Sequence, residues 1–205
     1  MIILGLTGSI GMGKTSAANQ LRGLGIPVHD ADDSVHRLLK KGGAAVPLVE
    51  KAFPGVVFGG VVERSRLGAR VFGDPQALKT LENILHPLVR ADERRFLQRA
   101  NRQGKKIVAL DIPLLFETHG DKRVDAVAVV TCPAFLQEQR VMARHGMTHG
   151  KLEVIRDRQM SDSEKRRRAD FVIPTGSGRR RTLRMLQAAV AALRLAAPKR
   201  NRSSI

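Results

Sequence analysis

Ile2-Ile3-Leu4-Gly5-Leu6-Thr7-Gly8-Ser9-Ile10-Gly11-Met12-Gly13-Lys14-Thr15 stands at the start of a 205-residue chain and decides its fold. Residues 2–7 are a short apolar run that stops at glycines, the pattern of a strand buried in a parallel sheet. A helical pattern begins near Lys14 and runs to Leu24. Between the two, Gly8 to Thr15 fits G-x-x-x-x-G-K-[ST], placed after a strand and before a helix as a phosphate-binding loop requires. Glycines let the backbone fold around phosphate oxygens, so that amide hydrogens and the helix N-terminus point at them. Lys14 would neutralise β- and γ-phosphate charge, and the Thr15 hydroxyl would ligate Mg²⁺.

Outward from this loop, strand and helix patterns alternate. Gly25 to Asp30 reads as a second strand, followed by a helix from Ala31 to about Lys41 that Gly42-Gly43 breaks. Residues 44–104 carry helical patterns interrupted at Pro54-Gly55, Gly59-Gly60, Gly73-Asp74-Pro75 and His86-Pro87. Ile107 to Asp111, Ala126 to Thr131 and Ala169 to Ile173 are three further strands. The stretch from Pro133 to Ser163 is helical, with breaks expected around Gly146 and Gly150, and a last amphipathic helix covers Thr182 to Leu195. The order predicts an α/β protein: a P-loop nucleoside-triphosphate-hydrolase-like three-layer fold with a five-stranded parallel sheet. A helical insertion is expected at about 40–104. Residues 1–198 are expected to form one domain, with a disordered basic tail at 199–205.

A formal charge of +17 favours anionic ligands, whether phosphorylated small molecules or nucleic acid. Single-stranded nucleic-acid sites interleave basic residues with aromatic platforms, whereas this chain has 3% aromatics and neither Trp nor Tyr. Small anions are the better expectation, with no specific nucleic-acid partner. The runs Lys165-Arg166-Arg167-Arg168 and Arg179-Arg180-Arg181 read as solvated faces. Cys132 is the single cysteine, which excludes an internal disulfide and reads as a small core residue. The histidines form no H-x-x-E-H motif, so any metal should arrive with a nucleotide. No basic leader or membrane-length apolar run is present, and a cytoplasmic protein with no membrane partner is expected. No feature of the sequence sets an oligomeric state.

Several other residues are placed to do chemistry. Asp111 ends a strand, where a carboxylate can face a loop-bound Mg²⁺ or simply cap the next segment. Asp30, Asp32 and Asp33 cluster at the carboxyl edge of the sheet, where open α/β sheets hold ligands, and one of them should cap the following helix. Arg140 and Arg144 lie four apart on an expected helix, on one face, where they could close over a triphosphate or remain solvated. His86-Pro87 reads by itself as a helix terminator with a surface histidine. No N-K-x-D tetrapeptide is present, against a GTPase.

In this order the residues resemble the dephospho-coenzyme A kinase family, from Leu4 to about Leu195. The resemblance rests on Gly5 to Thr15, Asp30-Ala31-Asp32, Arg64 with Leu67, Leu81-Glu82, His86-Pro87 and Asp111 to Glu117. It continues through Gln139-Arg140 with Arg144, Gln159, Lys165 and Ala169 to Ile173. It implies transfer of the ATP γ-phosphate to the ribose 3′-hydroxyl of dephospho-coenzyme A, with ATP and Mg²⁺ required. It also implies an acceptor region around residues 40–104 and a mobile lid around 133–165. Residue by residue, Asp32 matches the acceptor-side carboxylate, Arg64 and His86 fall in the acceptor region, and Arg140 matches the lid arginine. Gly8, Gly11, Met12, Gly13, Lys14, Thr15, Ser16 and Arg144 would bind ATP, with Thr15 and Asp111 on the metal. The chain departs from the pattern at Pro174-Thr175, where the family commonly has Asp-Asn. The alternatives are a kinase of another small alcohol or nucleotide and a nucleic-acid-binding P-loop ATPase.

Overall fold

A computed structural model describes residues 1–196; the basic tail singled out above lies outside them. The chain divides into two compact units, one formed by Met1–His29 with the chain from Ala100 onward, the other by Asp30–Arg99.

The first unit is built on a five-stranded parallel sheet. Its strands are β1 (Ile2–Thr7), β2 (Val28–Asp30), β5 (Ile107–Asp111), β6 (Ala126–Thr131) and β7 (Phe171–Pro174), in the order β2-β5-β1-β6-β7. The central strand β1 is buried at every residue, as expected of an apolar run covered on both faces. Helix α1 (Lys14–Gly23) buries Ala17, Ala18 and Leu21, and α9 (Arg179–Leu195) buries Leu186, Ala189, Val190 and Leu193, each at helical spacing. Both stripes join Leu4, Leu6 and Ile173 in one core. Shortening a fully buried leucine such as Leu4 to Ala would cost about 2–5 kcal/mol. Helices α6 (Ala134–Met142), α7 (His149–Asp157) and α8 (Asp162–Arg168) fill the stretch between β6 and β7.

The second unit holds α2 (Ala31–Leu39), α3 (Val46–Ala52), α4 (Arg64–Val71) and most of α5 (Pro75–Arg102). Its own core gathers Leu38, Leu39, Val49, Phe53, Val56, Val62, Leu67 and Leu85. Three details differ from the sequence reading. Val57–Phe58 (β3) and Val61–Val62 (β4) form an antiparallel hairpin, because Gly59 and Gly60 both adopt positive φ and close a two-residue turn. Nor does His86-Pro87 end a helix: α5 runs through Pro87. Its apolar face, Leu81, Ile84, Leu85, Leu88 and Val89, packs on the core across that point, which outweighs the ~3 kcal/mol an internal proline costs. Gly150 likewise lies inside α7, whose N-terminus Thr148 caps by accepting from the Lys151 N–H.

Candidate functional site

Parallel register sets the geometry of the loop. Leu6 pairs with Asp111 and Thr7 with Val129, so the ends of β5 and β6 flank the chain where it leaves β1. Gly8 must be a glycine, since a Cβ there would lie 2.3 Å from Val130 Cγ2 and 2.7 Å from Val130 O. Gly13 has φ +86 and a Cβ would meet Thr175 Oγ1 at 2.8 Å, so both backbone conformation and space require glycine. The first turn of α1 then presents N–H groups that no helix satisfies internally. Met12 is buried, Lys14 and Ser16 are half-buried and Thr15 is exposed.

Lys14 Nζ lies 2.6 Å from Asp111 Oδ1, with the Asp111 side chain 1% exposed. The lysine of the loop and the carboxylate at the end of β5 therefore face one another. Thr7 Oγ1 donates to the Pro113 carbonyl at 3.0 Å and ties the chain after β5 to the end of β1.

Behind the loop, side chains from distant segments hold its carbonyls. Gln137 Nε2 donates to Ile10 O at 2.8 Å, and the Ile10 N–H donates to Gln159 Oε1 at 3.1 Å. Arg156 Nη2 supports Gln137 Oε1 at 3.1 Å. Thr175 Oγ1 donates to Met12 O at 2.6 Å. Arg140 Nη1 reaches Thr175 Oγ1 at 3.2 Å and Gly11 O at 3.4 Å, while Nη2 donates to Thr175 O at 3.0 Å. Arg140 is thus joined to the loop both directly and through Thr175. Of these supports, Gln137, Arg156 and the hydroxyl role of Thr175 escape the sequence reading, because nothing local marks them. Cys132 is a buried core residue whose thiol is pushed up by burial, and its backbone N–H points at Met12 Sδ, 3.2 Å away.

Arg144 is a correction. Helix α6 ends at Met142, and Arg144 sits beyond it in a turn, exposed, so it does not share a helix face with Arg140. The Arg144 N–H bonds back to Val141 O at 3.0 Å and Gly146 takes φ +71, a helix end the arginine spacing alone did not reveal. Lys165 is another, since the first residue of the supposed solvated run is wholly buried against Glu117.

In the second unit the three clustered aspartates separate. Asp30 Oδ1 accepts from the Asp33 N–H at 3.1 Å and caps α2. Asp33 pairs with Arg37, four residues on. Asp32 is exposed and makes neither bond. Arg64 lies exposed in the first turn of α4, and His86 is exposed on α5.

A family model described as dephospho-CoA kinase matches residues 2–179. A dephospho-CoA kinase of Mesorhizobium japonicum is 60% identical over 178 residues, covering 87% of this chain and 89% of the relative. That of Paramagnetospirillum magneticum is 62% identical over 166 residues, covering 81% and 78%. A solved structure from Thermus thermophilus superposes with a TM-score of 0.81 at 36% identity, covering 96% of this chain and 98% of that one. Among the described residues no helix is long and apolar enough to cross a membrane.

Proposed function

The chain belongs to the dephospho-CoA kinase family, and on that premise we infer that it transfers the γ-phosphate of ATP to the ribose 3′-hydroxyl of dephospho-CoA, the step that yields coenzyme A. The observation that carries the reading is the glycine loop whose Lys14 stands against Asp111, in a chain matched by that family from residue 2 to residue 179.

In the transfer the 3′-oxygen forms a bond to the γ-phosphorus while the bond from that phosphorus to the β–γ bridging oxygen breaks, and ADP leaves. Charge is spread over the equatorial oxygens, so the protein acts chiefly by positioning and by complementary charge. Loop amides from Gly8, Gly11, Met12 and Gly13, with Ser16 in the first turn of α1, bind the phosphates. Lys14 neutralises the phosphoryl group in transit, and Arg140 stabilises the same charge from the segment held against the loop. Arg144, in its exposed turn, binds the nucleotide from outside. Asp32 accepts the proton of the 3′-hydroxyl and passes it to solvent. Its neighbours support this division of labour: Asp30 is used as a cap and Asp33 in an ion pair. Arg64 and His86 bind the acceptor.

Thr15 and Asp111 offer a hydroxyl and a carboxylate oxygen, the hard donors that Mg²⁺ selects, and would hold the ion beside the phosphates. When bound, Mg²⁺ would neutralise charge on the β- and γ-phosphoryl oxygens. The acceptor region around 40–104 and a lid around 133–165 are read as parts of one kinase domain spanning 1–198, working in the cytoplasm.

The test is coupled ADP release with ATP and Mg²⁺ against dephospho-CoA, shikimate, nucleosides and nucleoside monophosphates. Dephospho-CoA should dominate. Preference for another acceptor, or hydrolysis stimulated by DNA or RNA, would overturn the reading.

A further inference from the structure

Pro87 lies inside α5, where a proline has no N–H to offer the carbonyl of Asn83 four residues earlier, and its ring crowds that carbonyl. A cavity of about 430 Å³ opens at this place, lined by Asn83, His86, Pro87, Arg90 and Arg94. His86, Arg90 and Arg94 follow at four-residue intervals and so run along one face of the helix. All three are exposed. No lining residue is acidic.

The two carboxylates between Arg90 and Arg94 do not line the cavity. Asp92 accepts from Ser34 Oγ at 2.5 Å and from Arg37 Nη2 at 2.7 Å, and Glu93 is buried. Among the described residues neither Arg90 nor Arg94 has an ion pair, in contrast to Arg166, which lines a second cavity and sits 3.1 Å from Asp162. Like charges four apart on a helix repel, a cost that a bound anion removes. Two guanidinium forks, an imidazole and a carboxamide around one concavity make a donor set matched to phosphate oxygens.

We propose that His86, Arg90 and Arg94 form a diphosphate subsite in the second unit that binds the diphosphate bridge of the acceptor. The proposal rests on the acceptor reading above and assigns Arg90 and Arg94 a role that reading does not give them. The subsite takes no part in bond breaking; it fixes the acceptor by its charged middle.

Arg90→Ala, Arg94→Ala and the double variant test it, with Arg95→Ala as a control that removes equal charge from the same helix. The double variant should raise KM for dephospho-CoA roughly tenfold or more with kcat nearly kept, since contacts made equally in ground and transition states act on KM. KM for adenosine, which carries the 3′-hydroxyl but no diphosphate, should not move, and Arg95→Ala should match wild type. Equal losses with adenosine, or an equal effect from Arg95→Ala, would overturn the subsite. A separate arm measures inorganic pyrophosphate binding by calorimetry with the phosphate loop saturated by a non-hydrolysable ATP analogue. Weakened binding in the double variant supports the anion site and unchanged binding overturns it, even if wild-type protein proved to phosphorylate a different acceptor.

Discussion

Lys165 Nζ lies 2.9 Å from Glu117 Oε1, with the lysine side chain wholly shielded from solvent. The same carboxylate oxygen accepts from the Met160 N–H at 2.8 Å. Glu117 therefore ties α8, and the turn before it, to the segment that follows β5. That segment also carries Pro113, bonded through its carbonyl to Thr7. The pair joins the end of the expected lid stretch to the floor on which the phosphate loop rests.

Removing one partner of such a pair leaves the other charge poorly solvated. Lys165→Ala should destabilise the protein by about 3–5 kcal/mol, read as a lower urea midpoint. The double variant Lys165→Met with Glu117→Gln should recover part of that loss, because neither charge is then stranded. An unchanged midpoint in Lys165→Ala would show that the pair contributes nothing to the fold.

Thr175 acts on the loop from behind, through one hydroxyl that donates to Met12 O while Arg140 contacts it. Thr175→Val keeps the shape and removes the hydroxyl, leaving the Met12 carbonyl without that donor. The expected outcome is about a tenfold loss in kcat/KM for ATP, equivalent to ~1.4 kcal/mol, with KM for dephospho-CoA unchanged. Thr175→Ser should restore activity, which a mere packing role for the methyl group would not predict.

Legibility in the sequence followed distance along the chain. The phosphate loop is eight consecutive residues whose glycines and lysine announce their roles, and the strands that build the sheet are short apolar runs bounded by turn residues. The loop's supports are different: Gln137 is 127 residues from the carbonyl it holds and Thr175 is 163 residues from its own. No local pattern encodes such a contact. Arg144 is not legible in this way because four-residue spacing implies a shared face only while the helix continues, and α6 stops at Met142. Lys165 was hidden in a run of four basic residues, only one of which points inward. The three aspartates at the end of β2 and the start of α2 are told apart only by the cap and the ion pair that two of them make.

Lys14 should be needed for turnover and, in addition, should matter to stability. Lys14→Ala should lower kcat by at least about 10³-fold, since it removes the charge proposed to face the transferring phosphoryl group. Its contact with the nearly unexposed Asp111 carboxylate adds an expected loss of ~2–4 kcal/mol, visible in denaturant unfolding. Near-wild-type kcat would refute the assignment of the loop, and an unchanged unfolding midpoint would refute the energetic weight of the Asp111 contact.

Asp32 and Asp33 offer the sharpest separation, because they are adjacent, both exposed and differently engaged. Asp32 is proposed to hold the 3′-hydroxyl in line with the γ-phosphate and to accept its proton late in a loose transition state. Asp32→Asn keeps the side-chain shape but removes the charge, so kcat should fall about 10²–10⁴-fold with the melting temperature nearly unchanged. Asp33→Asn weakens an exposed pair with Arg37, a contact worth no more than about 1 kcal/mol, and should remain active. Melting curves and kcat measured on both variants give four values that must fall in this pattern. Equal activity in the two would remove Asp32 from the reaction and return the proton to another group on the acceptor side.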